Sequence, residues 1–96
     1  MELCGRQIVP TPGKPVRLTD WSQRVQNVTI WAFPENTGVV YIGGSCVRAR
    51  AGERRGAPLN GGTRPDAVTF VNVNLYDVWI DAVVANEGVT WLITQV

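Results

Sequence analysis

Apolar and polar residues alternate with a period of two along several short stretches of the chain. The clearest run lies at residues 76–84, where Val78, Ile80 and Ala82 share one face and Trp79 and Asp81 the other. Strict alternation of this kind is typical of a β-strand with one buried face. Shorter runs that predict further strands lie at residues 16–19, 28–33, 39–42, 68–73 and 89–94.

Two turn sequences predict β-hairpins. In the first, Pro34 to Gly38 separates two β-rich runs within residues 25–44; in the second, Asn86-Glu87-Gly88 follows the run at 76–84. Both turns contain the pattern Asn-x-Gly-Val. We expect the glycine of each to supply the left-handed residue of a three-residue hairpin loop.

Two segments lack this alternation. Residues 1–15 contain three prolines and two glycines, which predicts an extended N-terminal arm with one edge strand near residues 6–9. Residues 50–65 contain four glycines, two prolines and four arginines without periodicity, which predicts a long loop. Leu59 is the only large apolar residue of that loop, and we expect it to anchor the loop to the core.

The fold class follows from these elements. Short strands separated by Gly, Pro and Asn turns, with no segment that favours a helix of more than a turn, predict an all-β protein. We expect an antiparallel β-sandwich or jelly roll of about seven to eight short strands at residues 16–96, preceded by the arm at residues 1–15.

The amino-acid composition and net charge argue against several classes of function. The chain has 96 residues, a net charge of +1, no histidine and only 18% charged residues. A near-neutral charge argues against nucleic acid as a direct partner, and no run approaches the ~20 apolar residues of a membrane span. Without histidine the commonest general base and zinc ligand are missing. We expect no enzymatic activity, no cofactor and no metal.

The two cysteines and the N-terminus bear on location. Cys4 and Cys46 are too few for a secreted disulfide framework, so we expect two reduced thiols rather than a bridge. The N-terminal residues lack the charged start and apolar region of a signal peptide. We therefore expect the protein to be made in a cytoplasm.

Arginines form the only charge cluster in the sequence. Three interpretations apply: a solvated loop partly neutralised by Glu53, a contact with acidic groups of a protein, or a nucleic-acid contact. The sequence favours the first, then the second. The cluster consists of Arg48, Arg50, Arg54 and Arg55.

Asp77 and Asp81 flank Trp79 on one face of the predicted strand, an arrangement found in glycosidase clefts. Four residues along a strand separate Cα atoms by ~13 Å, which exceeds the ~5–9.5 Å between the carboxyl groups of glycosidases. We therefore expect a solvated or interfacial sheet face there and no catalytic pair.

Four tryptophans are many for a chain of this length. They suit either a subunit interface or a sugar-stacking platform, and the alternation favours the interface. Trp31 and Trp79 lie opposite the most apolar faces of their strands, so we expect both to point outwards. Trp91 shares the face of Val89 and Ile93, so we expect it in the core.

Taken together, several motifs resemble small virion structural proteins of tailed bacteriophages. They are Val-Thr-Ile-x-Ala-x-Pro-x-Asn-Thr-Gly-x-Val-Tyr-Ile-Gly at residues 28–43, Gly-Ala-Pro-Leu at 56–59, Asn-Leu-Tyr-x-Val-Trp-Ile-Asp at 74–81 and Gly-Val-Thr at 88–90. The resemblance spans residues 16–94. The chain departs from the family in its many tryptophans and its short arginine-rich loop.

The resemblance implies a capsid decoration (cement) protein that self-associates as a homodimer or homotrimer and bridges major capsid subunits on the virion surface, after assembly in the host cytoplasm. The alternatives are a tail or baseplate accessory protein and a carbohydrate-binding module that uses exposed tryptophans. The residues that we expect to contact a partner are Ile8, Val9, Pro10, Trp21, Trp31, Arg48, Arg50, Arg54, Arg55 and Trp79.

Overall fold

The computed structural model describes residues 3–96 and contains eight strands and one short 3-10 helix. The strands are β1 (Cys4–Val9), β2 (Val16–Arg17), β3 (Arg24–Ala32), β4 (Val40–Gly43), β5 (Ala57–Leu59), β6 (Ala67–Asn74), β7 (Trp79–Ala82) and β8 (Glu87–Gln95). The 3-10 helix is Leu75–Asp77. The prediction of an all-β antiparallel protein with two packed sheets is confirmed.

The strands form two four-stranded sheets. Sheet one has the order β1-β8-β3-β6 and sheet two the order β2-β7-β4-β5, with antiparallel pairing throughout. Apolar side chains from the facing sides of the two sheets make one core, in which Val28, Ile30 and Ile80 have no exposed surface. Trp91 also belongs to this core, as its alternation predicts, and Gly5 leaves room for its ring.

Both predicted hairpins are wrong. β3 lies in sheet one and β4 in sheet two, so residues 33–39 cross between the sheets. Residues 83–86 likewise carry the chain from β7 in sheet two to β8 in sheet one. Alternation shows which side of a strand is buried, but not which sheet the strand joins. Two consecutive strands show the same alternation whether they lie in one sheet or in the two opposite sheets of a sandwich.

The backbone of these turns also differs from the expectation. The left-handed residue of the second turn is Asn86, with φ of 65°, and neither Gly38 nor Gly88 has a positive φ. The predicted strand at 76–84 is shorter than expected, because residues 75–77 turn into the 3-10 helix. The Asn74 side chain accepts a hydrogen bond from the amide of Tyr76 at the start of that helix.

Two segments without alternation contain strands. Residues 4–9 pair with β8 as the edge strand β1, while residues 1–2 of the predicted arm lie outside the described residues. The predicted loop at residues 50–65 contains β5, which pairs with β4, so the expectation of a loop throughout is wrong. Leu59, the expected anchor of this segment, is buried in the core.

A buried carboxylate holds two segments over sheet two. Asp81 lies on the side of β7 that faces away from the core, yet it is fully buried. Its Oδ1 accepts hydrogen bonds from the amides of Gly13 and Ala82, and its Oδ2 from the amide of Ala49. The expectation of a solvated or interfacial position for Asp81 is therefore wrong.

The segment that contains Ala49 forms a small second apolar layer on the outer face of sheet two. Val47 and Ala49 are buried without belonging to the main core, and Val47 packs near Gly43 and Gly56. Nearby on the same face, the guanidinium of Arg17 lies 3.8 Å from the ring centre of Tyr76 and 4.4 Å from that of Trp79. Sheet two is therefore covered on both sides over much of its area.

The pairing of β1 with β8 depends on the absence of a side chain at Gly88. A Cβ atom at this buried position would overlap the carbonyl oxygen of Gln7 and crowd the Cα of Ile8. We expect Gly88→Ala to lower the free energy of unfolding by about 1–3 kcal/mol, the usual cost of overpacking, as measured by urea denaturation.

Gly44→Ala is the matched control, because nothing lies within 4 Å of its added Cβ. Its free energy of unfolding should stay within about 0.5 kcal/mol of the parent. Equal stability of the two variants would contradict the close backbone approach at Gly88.

Candidate functional site: the open face of sheet one

The outer face of sheet one is open to solvent, and we call it the open face. The strand registers arrange its central side chains in two rows that cross all four strands. These rows are Arg6–Thr90–Trp31–Ala67 and Cys4–Leu92–Thr29–Thr69. Ile8, Leu92 and Val71 on this face are 38%, 41% and 71% exposed, so large apolar groups meet water on three strands.

The open face carries little charge. Arg6 is the only charged residue in the two rows, and its guanidinium lies 4.6 Å from the ring centre of Phe33 at one end of the sheet. Arg24 lies at the opposite end, where it donates hydrogen bonds to the carbonyl and side-chain oxygens of Asn72. A face depleted of charge, with an aromatic residue near its middle, has the composition of an interface core.

The polar groups of the open face are largely bonded to each other. The hydroxyl groups of Thr29 and Thr69 lie 3.0 Å apart across neighbouring strands, and the Thr90 hydroxyl donates to the carbonyl of Gly5. The Asn27 amide donates to the side-chain oxygen of Gln95. Burial of these groups under a partner would therefore leave few unpaired donors, which keeps the cost of desolvation low.

The predicted contact residues of the arm separate in the structure. Ile8 lies on the open face and Pro10 is exposed, but Val9 is fully buried in the core. Val9 alternates with Ile8 along β1 and therefore points to the other side of the sheet. Its side chain is unavailable to a partner.

The four arginines lie together but away from the open face. Arg48 and Arg55 face each other in an isolated β-bridge above sheet two. Arg48 donates to the carbonyls of Ser45 and Val47, and Arg54 to that of Ala49. Arg50 is exposed, with an ion pair of 3.9 Å to the exposed Glu53. Much of this cluster therefore stabilises its own loop.

The tryptophans do not share one surface. Trp31 is half-buried on the open face, whereas Trp79 lies on the outer face of sheet two beneath Arg17. Trp21 is 38% exposed and contacts the buried Trp91, with ring centres 6.2 Å apart. Because Trp31 and Trp79 lie on the outer faces of different sheets and Trp91 is buried, the four rings do not form a common sugar-stacking platform.

Asp77 and Asp81 do not form an open carboxylate pair. Both oxygens of Asp81 accept backbone hydrogen bonds, while Asp77 is exposed at the end of the 3-10 helix.

Within residues 3–96 no three Cys, Asp or Glu residues are grouped to hold a metal ion. The same residues contain no helix long and apolar enough to cross a membrane. Cys4 and Cys46 are unpaired and exposed.

A cleft of about 570 Å³ lies at the end of sheet one and is lined by Arg6, Phe33, Glu35, Asn36 and Glu87, among others. Two of its polar side chains are already used within the fold. Asn36 donates to the carbonyl of Gly88, and the Glu87 carboxylate accepts hydrogen bonds from Thr37 and Gly38. The cleft therefore serves to join residues 34–38 to the start of β8.

Sequence reasoning named Trp31 and Ile8 but missed the rest of the open face. The sequence did contain a signal for this face, namely the scarcity of charge on the solvent side of these strands. Uncharged residues occupy positions where charged residues are common on an exposed sheet; they are Thr29, Thr69, Thr90 and Leu92.

Comparison of the chain with protein-family models, with curated proteins and with solved structures finds no match.

The hydrogen bonds to the Glu87 carboxylate predict how the stability of the fold depends on pH. Partial burial alone would raise the pKa of this carboxyl, but the amides of Thr37 and Gly38 and the Thr37 hydroxyl outweigh it and hold the pKa below its ordinary value. A carboxyl group whose pKa is lower in the folded state than in the unfolded state stabilises the fold at pH values above its unfolded-state pKa. This stabilisation is lost as the pH falls through the folded-state pKa.

We therefore expect Glu87→Gln to lower the free energy of unfolding at pH 7 by on the order of 1 kcal/mol. The difference from the parent should shrink as the pH falls below 4.5, the ordinary value. Denaturant titrations at several pH values measure both effects. Glu35→Gln, on the exposed rim of the same cleft, is the control. A difference for Glu87→Gln that stays constant from pH 7 to acid would contradict the role of its charge.

Proposed function

We propose that the chain is a non-enzymatic structural protein of a tailed-bacteriophage virion, and specifically a capsid decoration (cement) protein. It attaches to the outside of the head through the open face and bridges neighbouring major capsid subunits. The observation that carries this proposal is the open face itself, with its exposed apolar side chains on three strands and its scarcity of charge.

The chemistry of the open face favours a protein as its partner. Nucleic acid is bound by clusters of cations, and the two rows of this face contain one arginine. A surface with exposed apolar side chains and internally bonded threonines suits close packing against a protein surface. Attachment then depends on shape and apolar burial more than on long-range electrostatic steering.

The mechanism of stabilisation is additional buried area at subunit junctions. Internal DNA pressure pulls neighbouring capsid subunits apart, and a small protein that contacts both adds an interaction that separation must break. Leu92 and Trp31 lie near the middle of the open face, where a contact residue is shielded from water and contributes most to affinity.

A binding experiment tests the proposal. Purified protein is added to capsids of the virus that encodes it, assembled without it, and the mixture is sedimented. We expect saturable binding at a fixed ratio to the shell protein. Leu92→Glu should weaken this binding by about tenfold or more, because the added charge must be desolvated at the contact (about 1.4 kcal/mol for each factor of ten).

Val84→Glu is the matched control, since Val84 is 38% exposed, close to the 41% of Leu92, but lies in the loop between β7 and β8. It should bind as the parent does. If the parent protein stays in the supernatant while the capsids sediment, the cement function is wrong. If Leu92→Glu binds as tightly as Val84→Glu, the attachment does not use the open face.

A further inference from the structure

The free edge of β6 is an unprotected pairing surface. β6 is at the end of sheet one and pairs with β3 alone within residues 3–96. Its eight residues, Ala67–Asn74, include no charged residue, no proline and no glycine. Natural proteins usually protect such an edge with charges, prolines or short strands, because unpaired backbone groups recruit another strand.

The other three edges of the sandwich are protected in these ways. β2 has two residues, and β5 has three including Pro58. β1 carries Arg6 and Gln7, and the Gln7 side chain donates to the carbonyl of Arg17 in sheet two. β6 differs from all of them in length and in chemical character.

The register shows which backbone groups of β6 are free. The amide of Ala32 donates to the carbonyl of Asp66, whose own amide donates to the carbonyl of Asn60. Continued along the register, this pattern directs the backbone groups of residues 68 and 70 to β3. The N–H and C=O groups of the alternate residues Ala67, Thr69 and Val71 therefore point to the free edge. The close approach of the Thr29 and Thr69 hydroxyls agrees, because such side chains lie nearest in non-hydrogen-bonded pairs.

We propose that two copies of this chain pair antiparallel through their β6 strands, with Thr69 opposite Thr69 of the second copy at the two-fold axis. Ala67 then lies opposite Val71, and their free backbone groups satisfy each other. Val68 and Phe70, which face the core but are only half-buried, gain a covering neighbour. The result is a continuous eight-stranded sheet across the dimer.

Charges at the two ends of the strand complement each other in this register. Asp66 comes near Asn72 of the second copy, where a left-handed φ of 53° ends the regular pairing, and Asn72 is the residue that holds the guanidinium of Arg24 in its own chain. Neither Asp66 nor Arg24 forms an ion pair within residues 3–96. Hydrogen bonds from Asn60 hold the pKa of Asp66 below its ordinary value, so the carboxylate is charged at neutral pH. Each end of the paired strands therefore brings a carboxylate beside a guanidinium.

The dimer also explains how a small face could bridge two subunits. Four strands spaced by ~4.8 Å and about six residues of ~3.3 Å give one open face roughly 20 Å by 20 Å. This is a small footprint beside the roughly 800 Å² that each partner buries in a standard interface. A two-fold axis perpendicular to the sheet places two open faces side by side on the same surface, which doubles the footprint.

Charge substitutions at the axis test the pairing by analytical ultracentrifugation, over protein concentrations from about 1 to about 500 μM. We expect the parent to dimerise within this range. Thr69→Lys and Thr69→Glu should each weaken dimerisation at least about tenfold, because like charges face each other at the axis. A mixture of these two variants should form a heterodimer. Thr94→Lys, at an exposed threonine near the end of β8, should dimerise as the parent does.

Amide hydrogen exchange separates loss of the dimer from loss of the fold. The amides of Val68 and Phe70 should remain protected in every folded variant, whereas those of Ala67, Thr69 and Val71 should be protected only where the dimer forms. A parent that stays monomeric throughout the range would overturn the proposal. So would a Thr69→Lys variant that dimerises like Thr94→Lys, or a mixture of the two Thr69 variants that stays monomeric.

The inference deepens the proposed function by supplying the self-association that the resemblance implies, and it does not rest on capsid attachment. A monomer that binds capsids would refute the dimer alone. A dimer that fails to bind them would refute the cement function alone.

Discussion

The three hydrogen bonds to the Asp81 carboxylate decide which surfaces of this protein remain exposed. Two of them connect β7 with residue 13 of the N-terminal segment and residue 49 of the segment before β5, and the third comes from Ala82 within β7. A carboxylate buried without such partners would be strongly destabilising, but three amide donors replace the water that it loses. Both segments are rich in residues that do not favour regular structure, so these contacts have to hold them against the sheet.

The consequence is an asymmetric sandwich. Sheet two has the core on one side and, over much of the other, the segments that Asp81 holds and the stack of Arg17 on Tyr76 and Trp79. Sheet one has the core on one side and solvent on the other. The exposed apolar residues Ile8, Leu92 and Val71 therefore belong to a single surface. That surface and the adjacent free edge of β6 support one account of attachment and self-association.

Alternation in the sequence predicted the all-β class and most of the inward-facing residues, because burial on one side of a strand leaves a period of two. It failed on the partners of the strands. Both predicted hairpins are connections between sheets, since a turn sequence fixes a reversal of the chain but not the sheet that the next strand joins. The strand β5 was missed because its three residues include Pro58 and are too few to show a period.

The residues of the candidate site were likewise predicted only in part from the sequence. Trp31 was recognisable as an outward-facing residue and Ile8 was named as a contact of the arm, but the sequence could not show that Leu92, Thr29 and Thr69 lie beside each other. Asp81 alternated as a surface residue should, and only the fold of two distant segments buries it. Val9 was assigned to an arm and is instead a core residue, because the segment that contains it pairs with β8.

Hydrogen exchange at the amides of Gly13 and Ala49 tests this account most directly. Both lie outside the strands, and we expect both to be protected in the parent protein because they donate to Asp81. In Asp81→Asn, which removes the charge and presents a donor to these amides, their protection should fall while that of Val28 and Ile30 in the core strand β3 remains. Rapid exchange of Gly13 and Ala49 in the parent would contradict the account, because neither segment would then be held over sheet two.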